Sequence, residues 1–441
     1  MKKKILYAML FLLAALLFSG CAMRTVEQMY ALPKRSDEFN EMQSAIDTAM
    51  YGMTYASPQY GENQQTVQMA DLTGDGLDEI IVFAKGATEK PLQVLIFTQD
   101  ENGRARAMET IGSNGLAFEQ VEYVDFDDQP GVELVVGIRV GDQVQRSVAV
   151  YTFRNGNAEL MLLNGYSKFI TCDLDENGLS ELMVLRQGEM ETERAMAVLY
   201  QTSRSQIERS VELSLSYGAK DIRRIMQGNL QNGKSAVYIA GASEGNALVT
   251  DVLTLRNNRF VNLTYSEDVN TSIQTMRNFY VYSEDINEDG VVEIPTTVTM
   301  KPLSMWQNEE DRNFLRWYSL DENGWEHNKL FTFHNFMGGW YLQLNNSWAS
   351  RITVEQDSGI YRFYLWDESY QVATSLFTLY VFTGGDRDEE AVKDDRFALY
   401  RSEGVAYAAS LEAAAAEYDI TEDYLIESFR LIRQDWQTGE T

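Results

Sequence analysis

The sequence predicts a mainly β protein, in which a β-propeller of four-stranded blades is followed by a small α+β domain. Three observations predict this fold class. An acidic loop, Asp-x-Asp/Asn-x-Asp/Asn-Gly-x-x-Glu, recurs along the chain, strand-like apolar runs follow each copy, and turns separate the runs. A repeat of this length is typical of propellers and solenoids, and four antiparallel strands per repeat make a propeller blade. Five blades are visible, and the total is left open.

The first twenty residues predict a secretory signal peptide. Three lysines precede an apolar run at 5–18, and Ser19-Gly20-Cys21 follows it, the order expected of such a peptide. The run is shorter than the ~20 residues of a membrane-spanning helix. Its end is similar to the bacterial lipobox, although Phe18 stands where that family usually has Leu. The resemblance implies that Cys21 carries a lipid anchor, that residues 21–36 contain this anchor and a tether, and that the protein lies on the extracytoplasmic face of the cell membrane.

The chain is strongly acidic. Its formal net charge is -29, and loss of Lys2, Lys3 and Lys4 with the signal peptide takes it to -32. Such a surface repels nucleic acid and anionic lipid headgroups, so we expect no nucleic-acid partner and membrane attachment through the lipid. With Cys21 lipidated, Cys172 has no second cysteine for an intramolecular disulfide.

The acidic loop has three clear copies and two weaker ones. The clear copies begin at Asp71, Asp173 and Asp285 and read DLTGDGLDE, DLDENGLSE and DINEDGVVE. In the copy that begins at Asp125, Pro130 puts the glycine one place late. In the copy at 228–236 the carboxylates are gone and Asn-Gly remains. An apolar run follows every copy, and a second β-rich run and a hairpin turn come after it, which predicts one blade for each copy.

The segment between Gln65 and Asn335 resembles the FG-GAP/VCBS repeats of integrin-α-type propellers, and we assign residues 59–336 to such a domain. The resemblance implies structural Ca²⁺ held by side chains at loop positions one, three, five and nine and by the carbonyl at seven. Alternating oxygens and Gly at position six also occur in the EF-hand loop. The ligands so expected are Asp285, Asn287, Asp289 and Glu293 in the fifth copy, Asp173, Asp175, Asn177 and Glu181 in the third, and Asp71, Asp75 and Glu79 in the first, where Thr73 replaces an acid. A plain turn, in which Asp and Asn side chains cap backbone N–H groups, is the alternative.

Helices are predicted on both sides of the propeller. Within the segment 37–58, helical spacing joins Phe39, Met42, Ile46 and Met50, and we expect this helix to pack on the propeller or cap it. Residues 337–441 are predicted to form a separate α+β domain, whose stretch 340–348 is weakly similar to PsbP-like sandwiches. Its last helix is expected to have Asp419 and Glu422 as a capping box and an apolar face of Leu425, Ile426, Phe429 and Ile432.

Catalytic signals are poor. His327 and His334 are the two histidines, and both stand in aromatic, strand-like surroundings. Ser243 lies in a Gly-x-Ser-x-Gly match, but the residues after it predict a strand, whereas a nucleophile elbow leads into a helix. P-loop, dinucleotide-binding and zinc-cluster motifs do not occur in the sequence.

These observations predict a non-catalytic binding or scaffolding lipoprotein that presents its propeller to an envelope protein or glycan, and no enzyme activity. Trp306 and Trp325 are the tryptophans expected at the surface. One alternative is a carbohydrate-active enzyme using paired carboxylates, since 66 acidic residues offer many pairs. An envelope-assembly factor with an exposed hydrophobic groove is the other alternative.

Overall fold

The computed structural model describes residues 37–99, 105–141, 145–188, 193–203, 206–243, 247–278, 281–298, 314–349, 351–367 and 372–433. Within these ranges the protein is mainly β, with antiparallel sheets and a few short helices. The predicted fold class is confirmed at this level. The signal peptide, Cys21, the tether and Trp306 lie outside the described residues, and the closed propeller ring stays a prediction.

The described strands form six antiparallel sheets that follow one another along the chain. Sheet one contains β1 (Met53–Tyr55), β2 (Val67–Ala70), β3 (Glu79–Gly86), β4 (Leu92–Gln99) and β5 (Ala105–Ser113), and sheet two contains β6 (Ala117–Val124), β7 (Glu133–Arg139), β8 (Arg146–Thr152) and β9 (Glu159–Tyr166). Sheet three contains β10 (Lys168–Cys172), β11 (Glu181–Arg186), β12 (Met196–Ser203) and β13 (Gln206–Ser214), and sheet four contains β14 (Ile222–Asn229), β15 (Ser235–Ala242), β16 (Leu248–Arg256) and β17 (Arg259–Asn262).

The last two sheets carry the C-terminal part of the chain. Sheet five contains β18 (Ile294–Thr297), β19 (Phe314–Leu320), β20 (Glu326–Asn335), β21 (Trp340–Leu344) and β27 (Phe429–Leu431), and sheet six contains β22 (Ile352–Asp357), β23 (Ile360–Asp367), β24 (Val372–Thr383), β25 (Phe397–Arg401) and β26 (Val405–Leu411). The α-helices are α1 (Asp37–Ala49), α2 (Arg387–Glu390) and α3 (Glu422–Ser428). Short 3-10 helices occupy Ala219–Asp221, Ile273–Thr275, Asn346–Trp348 and Ala415–Tyr418.

Sheets two, three and four are simple meanders, in which each strand pairs with the next along the chain. Sheet five begins in the same way with β18, where Pro295 pairs with Trp317 at the edge of the sheet. A proline fits an edge strand, because it has no N–H to donate to a further neighbour. The first acidic loop joins β2 and β3, the loops of sheets two, three and four join the first two strands of their sheets, and the fifth leads directly into β18.

Apolar side chains join consecutive sheets face to face, because both faces of a buried strand carry large residues. The ring pairs Phe83 with Phe118 and Tyr166 with Phe169 lie between sheets one, two and three, at 5.0 and 5.1 Å between centroids. Further on, sheet four contacts its neighbours on both sides, and Phe333 meets Phe363 of sheet six at 5.3 Å. Burial of each such side chain stabilises the fold by about 1.5–3 kcal/mol.

Helix α1 covers the face of sheet one that is turned away from sheet two. Ile46 and Met50 are buried there against a patch that includes Ile80, Val82 and Phe97. The predicted helix and its packing are therefore confirmed, while the side chain of Phe39 lies outside what is described. No helix in the described ranges is both long enough and apolar enough to cross a membrane.

Two predictions for the C-terminal part are wrong. Strand β21, which was assigned to a separate domain, pairs with β20 and completes sheet five, because the Gly338-Gly339 turn folds it back as a hairpin. The last helix is capped by Thr421, whose side chain accepts a hydrogen bond from Tyr424 N, and not by Asp419, which has a φ of +58°. Helix α3 ends at Ser428, and Phe429 begins a strand that pairs with β21.

Candidate metal centres in the acidic loops

The three clear loops share one hydrogen-bond pattern around their first aspartate. In each, this carboxylate accepts the N–H of the glycine at position six: Gly76 to Asp71 at 2.9 Å, Gly178 to Asp173 at 2.9 Å and Gly290 to Asp285 at 2.8 Å. These glycines have φ values of +86°, +89° and +84°, a left-handed conformation that other residues adopt only at a cost. The glycine at position six is thus explained by the backbone of the turn.

The glutamate at position nine is buried in every loop that has one. Glu79, Glu133, Glu181 and Glu293 are at most 3% exposed. Each accepts the N–H of loop position two through Oε2, at distances of 2.7 to 3.2 Å. Burial raises the pKa of Glu181 to about 7 and that of Glu293 to about 8, and it also raises the pKa values of Glu79 and Glu133. A cation beside such a carboxylate would favour its charged form.

The third loop brings its predicted acidic ligands together. Carboxylate oxygens of Asp173, Asp175 and Glu181 all lie within 4.8 Å of one another. Asn177 lies beside them and donates from Nδ2 to Asp175 Oδ2 at 3.0 Å. Of the three predicted sites, this one has the arrangement of oxygens that a hard divalent cation needs.

The first and fifth loops assemble their acids less closely, and neither is among the described groups of three acidic side chains within 4.8 Å. In the first loop, Thr73 donates to Glu79 Oε1 at 3.4 Å, so that a hydroxyl stands in the place of a carboxylate. In the fifth loop, Lys329 of β20 contacts Asp289 Oδ2 at 2.8 Å, and Asn287 Nδ2 donates to the same oxygen at 3.1 Å. Asp289 therefore already has a cationic partner.

A second close group lies in the copy that begins at Asp125, where Pro130 predicts a loop out of register. Asp125, Asp127 and Glu133 also have carboxylate oxygens within 4.8 Å of one another. The correction follows from the backbone, because Gly131 takes the left-handed conformation at φ +92° one residue later and leaves the positions of the acids unchanged. The signal was present in the sequence, since Glu133 follows Asp125 at the same spacing as Glu79 follows Asp71.

The fifth loop differs from the first three in the side chain that faces its buried glutamate from the next strand. In the first three sheets, the residue opposite the glutamate on the next strand hydrogen-bonds its side chain; these residues are Thr98, Thr152 and Gln201. In sheet five, Ile294 pairs with Tyr318, so Ser319 is the residue opposite Glu293. The Ser319 hydroxyl donates to Gln231 and not to Glu293. Glu293 Oε1 is buried with no hydrogen-bond partner. A buried acceptor in this state costs about 1–3 kcal/mol unless another group satisfies it.

The acidic loops also connect neighbouring sheets. Val132 N donates to Asp71 O at 3.0 Å, Ser180 N donates to Asp125 O at 2.8 Å, and Ser235 N donates to Glu176 Oε1 at 2.8 Å. In the fourth copy, Asn229 and Ser235 are the paired residues at the two ends of the loop, as Ala70 and Glu79 are in the first copy. The fourth loop is therefore shorter than the segment 228–236 that the repeat predicts. The row of loops therefore runs along one edge of successive sheets.

The two histidines and Ser243, the weak catalytic candidates of the sequence, have packing or hydrogen-bond contacts that account for their positions. His334 is fully buried and stacked on Tyr341 at 4.9 Å, and burial lowers its pKa to about 3. His327 lies at the surface, 3.4 Å from Asp321. Ser243 N donates to Ala247 O between β15 and β16, and β16 confirms the strand expected after Ser243. Trp325 is 70% exposed, as predicted.

A polar cavity of about 310 Å³ lies beside sheet three and is lined by Glu193, Arg194, Met196, Ser214, Tyr265 and Asn270. Arg194 is held in place by a hydrogen bond from its guanidinium to Ser216 O at 2.6 Å. The cavity has a single carboxylate in its lining, so the pair expected for a glycoside hydrolase is not built there. A second, apolar gap of about 20 Å³ lies between sheets one and two and is too small for a ligand.

Comparison with known proteins gives structural neighbours of low sequence identity. No family model matches the chain, and no curated protein matches it either. Among solved structures, it is similar to the rhamnogalacturonan lyase YesW (13% identity, 73% of this chain and 71% of that chain, TM-score 0.30) and the exotype rhamnogalacturonan lyase YesX (12%, 74% and 65%, TM-score 0.30). The rhamnogalacturonan lyase PL11 of Bacillus licheniformis is similar to the same extent (13%, 73% and 72%, TM-score 0.30).

These neighbours correct two predictions. The expected non-catalytic binding or scaffolding role and the expected lack of enzyme activity are both withdrawn, since the neighbours reported above are rhamnogalacturonan lyases. Identity of 12–13% and a TM-score of 0.30 assign no activity, substrate or catalytic residue to this chain.

Proposed function

We propose that the acidic loops bind structural Ca²⁺ and that the ions stabilise a set of FG-GAP/VCBS-type propeller blades. The observation that carries the proposal is the convergence of Asp173, Asp175 and Glu181 within 4.8 Å around a turn whose glycine is left-handed. Three carboxylates held this close repel one another unless a cation lies between them. Oxygen donors of this kind suit Ca²⁺, which takes 6–8 oxygen ligands.

The fifth loop supports the same proposal through an independent observation. Glu293 is completely buried, and its Oε1 has no hydrogen-bond partner although Oε2 has one. A Ca²⁺ ion held by Asp285, Asn287, Asp289 and Glu293 would satisfy that oxygen. Binding there requires Lys329 to leave Asp289, so we expect the fifth site to be weaker than the third.

The proposed role of the ions follows from where the loops lie. Each loop hydrogen-bonds to a neighbouring sheet, so fixing the loop also fixes the contact between two blades. An ion that binds the folded state stabilises it by about 2.7 kcal/mol at one hundred times its Kd. Extracellular modules bind Ca²⁺ with Kd of roughly 10⁻⁴ to 10⁻³ M, which suits a permanent ion outside the cell.

The location of the protein is part of this proposal. A signal peptide that ends in Ser19-Gly20 and is followed directly by Cys21 supports lipid anchoring on the outer face of the cell membrane. The test is radiolabelled fatty-acid incorporation in a bacterial host. The wild-type chain should be labelled and the Cys21→Ala variant should not, and equal labelling of both would refute the anchor.

The Ca²⁺ proposal is tested by thermal unfolding of the full chain in EDTA and in Ca²⁺. We expect Ca²⁺ to raise the Tm of the wild-type protein and to raise that of a Glu181→Gln variant clearly less. Glu403→Gln is the matched control, because Glu403 is exposed in the turn between β25 and β26, away from the acidic loops. An equal Ca²⁺ effect in all three proteins would exclude the third loop as a site.

A carbohydrate-active function is the second candidate, and the polar cavity beside sheet three favours it. Its volume lies at the lower end of the range for ligand pockets. Tyr265 offers a ring face for a sugar, and Arg194 offers a guanidinium, which pairs well with the carboxylate of an acidic sugar. We therefore propose acidic polysaccharides as the first substrates to test.

The test measures two products from acidic and from neutral polysaccharides. Ultraviolet-absorbing unsaturated ends report an elimination, and reducing ends without that absorbance report hydrolysis. Tyr265→Ala and Arg194→Gln should each abolish the activity, whereas Trp325→Ala, which changes an exposed aromatic residue outside the cavity, should keep it. Activity that survives both cavity substitutions would place the active site elsewhere.

A further inference from the structure

Arg154 occupies the acidic group of the second loop. Its guanidinium pairs with Asp127 and lies 3.9 Å from Glu133 Oε1, and the same two side chains belong to the close carboxylate group with Asp125. The side chains of Asp127 and Glu133 are 2% and 4% exposed and that of Arg154 is 27% exposed, so two nearly buried carboxylates are closed off by a partly exposed guanidinium. The third loop has the same arrangement of carboxylates, but none of the described ion pairs brings a cation to it.

The position of Arg154 in its sheet explains why this loop alone receives it. Leu134 pairs with Tyr151, which sets Glu133 opposite Thr152 and places Arg154 two residues further along the chain. In the sequence, the residues two places after Thr98 and Gln201 are Asp100 and Ser203, and neither is cationic. Among the residues at this position, only that of sheet two brings a positive charge to its loop.

We propose that Arg154 is a built-in cation that takes the place of a metal ion in the second loop, which is a metal site closed by the protein's own side chain. The inference rests on the proposed Ca²⁺ function of the other loops. The guanidinium of Arg154 and a Ca²⁺ ion would both use the carboxylates of Asp127 and Glu133, so they exclude one another. Removing one partner of a buried ion pair leaves an uncompensated charge, and in the absence of Arg154 a Ca²⁺ ion can compensate it.

The experiment counts the Ca²⁺ ions bound per chain by calorimetric titration with calcium chloride. Arg154→Gln should bind one more ion than the wild-type full chain, and Arg154→Lys, which keeps the charge, should bind the wild-type number. Arg154→Gln combined with Asp127→Asn should lose the additional ion. In EDTA, Arg154→Gln should have a lower Tm than wild type and should regain most of the loss in Ca²⁺.

The outcomes separate this inference from the general proposal. If the wild type binds Ca²⁺ and Arg154→Gln binds no additional ion, the inference is overturned and the general proposal stands. If the wild type binds none and Arg154→Gln binds one, the inference stands and the general proposal fails. Should Arg154→Gln fold only in Ca²⁺, that dependence supports the inference, and failure to fold in both conditions while Arg154→Lys folds overturns it.

Discussion

The Ser319 hydroxyl donates to Gln231 Oε1 at 2.7 Å, a contact between sheets five and four that takes Ser319 away from the buried Glu293. In the first three sheets the corresponding side chain hydrogen-bonds the glutamate of its own loop. The fifth loop thus keeps one glutamate oxygen available, and it does so because the same hydroxyl joins two sheets.

The Glu293→Gln variant tests that oxygen. Glutamine has the same shape and lacks the negative charge, so the Ca²⁺-dependent part of the stability should fall by about 1–3 kcal/mol, measured as the difference in unfolding free energy between Ca²⁺ and EDTA. In EDTA the variant should be at least as stable as the wild type, since burial already raises the pKa of Glu293 to about 8. A full Ca²⁺ effect in the variant would show that Glu293 holds no ion.

Lys329 should compete with Ca²⁺ for the fifth loop. Because its ammonium lies 2.8 Å from Asp289 Oδ2, Lys329→Gln should tighten Ca²⁺ binding at this loop by about tenfold, or about 1.4 kcal/mol. Calorimetric titration measures the change. Lys393→Gln removes a lysine that pairs with Glu390 on the surface of the C-terminal part and should leave every site unchanged. Unaltered affinity in Lys329→Gln would mean that the ion pair does not oppose binding.

His334 should make the protein less stable in acid. Its pKa is about 3 in the folded state because it is buried among Trp317, Phe336 and Tyr341, and about 6.5 when unfolded. Below pH 6.5 the unfolded chain gains a proton that the folded chain does not, so stability falls as the pH drops towards 3, by up to about 1.4 kcal/mol per pH unit.

Urea unfolding between pH 7 and pH 4 checks this dependence. His334→Phe should have a shallower decline than the wild type, while His327→Gln, which changes the exposed histidine, should keep the wild-type slope. If His334→Phe declines as steeply as the wild type, His334 is not the group that takes up the proton.

Gly178 should tolerate substitution only at the cost of backbone strain. A Cβ there would meet no atom within 4 Å, but φ is +89°, so Gly178→Ala should lose about 1–2 kcal/mol and Gly178→Asn should lose less, because Asn tolerates left-handed backbone better. Gly404→Ala is the control, since that site is equally open and φ is not left-handed. Equal losses at the two glycines would contradict the explanation of position six by backbone conformation.

The sequence predicted the repeated sheets and their loops because both are local. Alternating oxygens, a left-handed glycine and the apolar runs are all visible within one repeat, and the third loop was placed correctly on that basis. The contacts that distinguish the loops are not local. Arg154 reaches Asp127 from the end of the third strand of its sheet, and Lys329 reaches Asp289 from β20, so neither could be found by reading a loop alone.

The C-terminal part shows the same limit. Strand β21 is separated from β20 by a turn and reads like the start of a new unit, and only its pairing with β20 and β27 places it in sheet five. The sequence also does not predict the cavity beside sheet three, since Arg194 and Tyr265 are 71 positions apart. Residues that come from different elements carry no common spacing that a repeat would reveal.

The most direct test of the central claim is a crystal structure of the full chain grown in Ca²⁺, with the ions located by their anomalous scattering. We expect an ion in the third loop with oxygens of Asp173, Asp175 and Glu181 at about 2.3–2.6 Å. In the second loop we expect Arg154 at the position of the ion. A third loop without an ion, held only by backbone N–H groups donating to its carboxylates, would contradict the account.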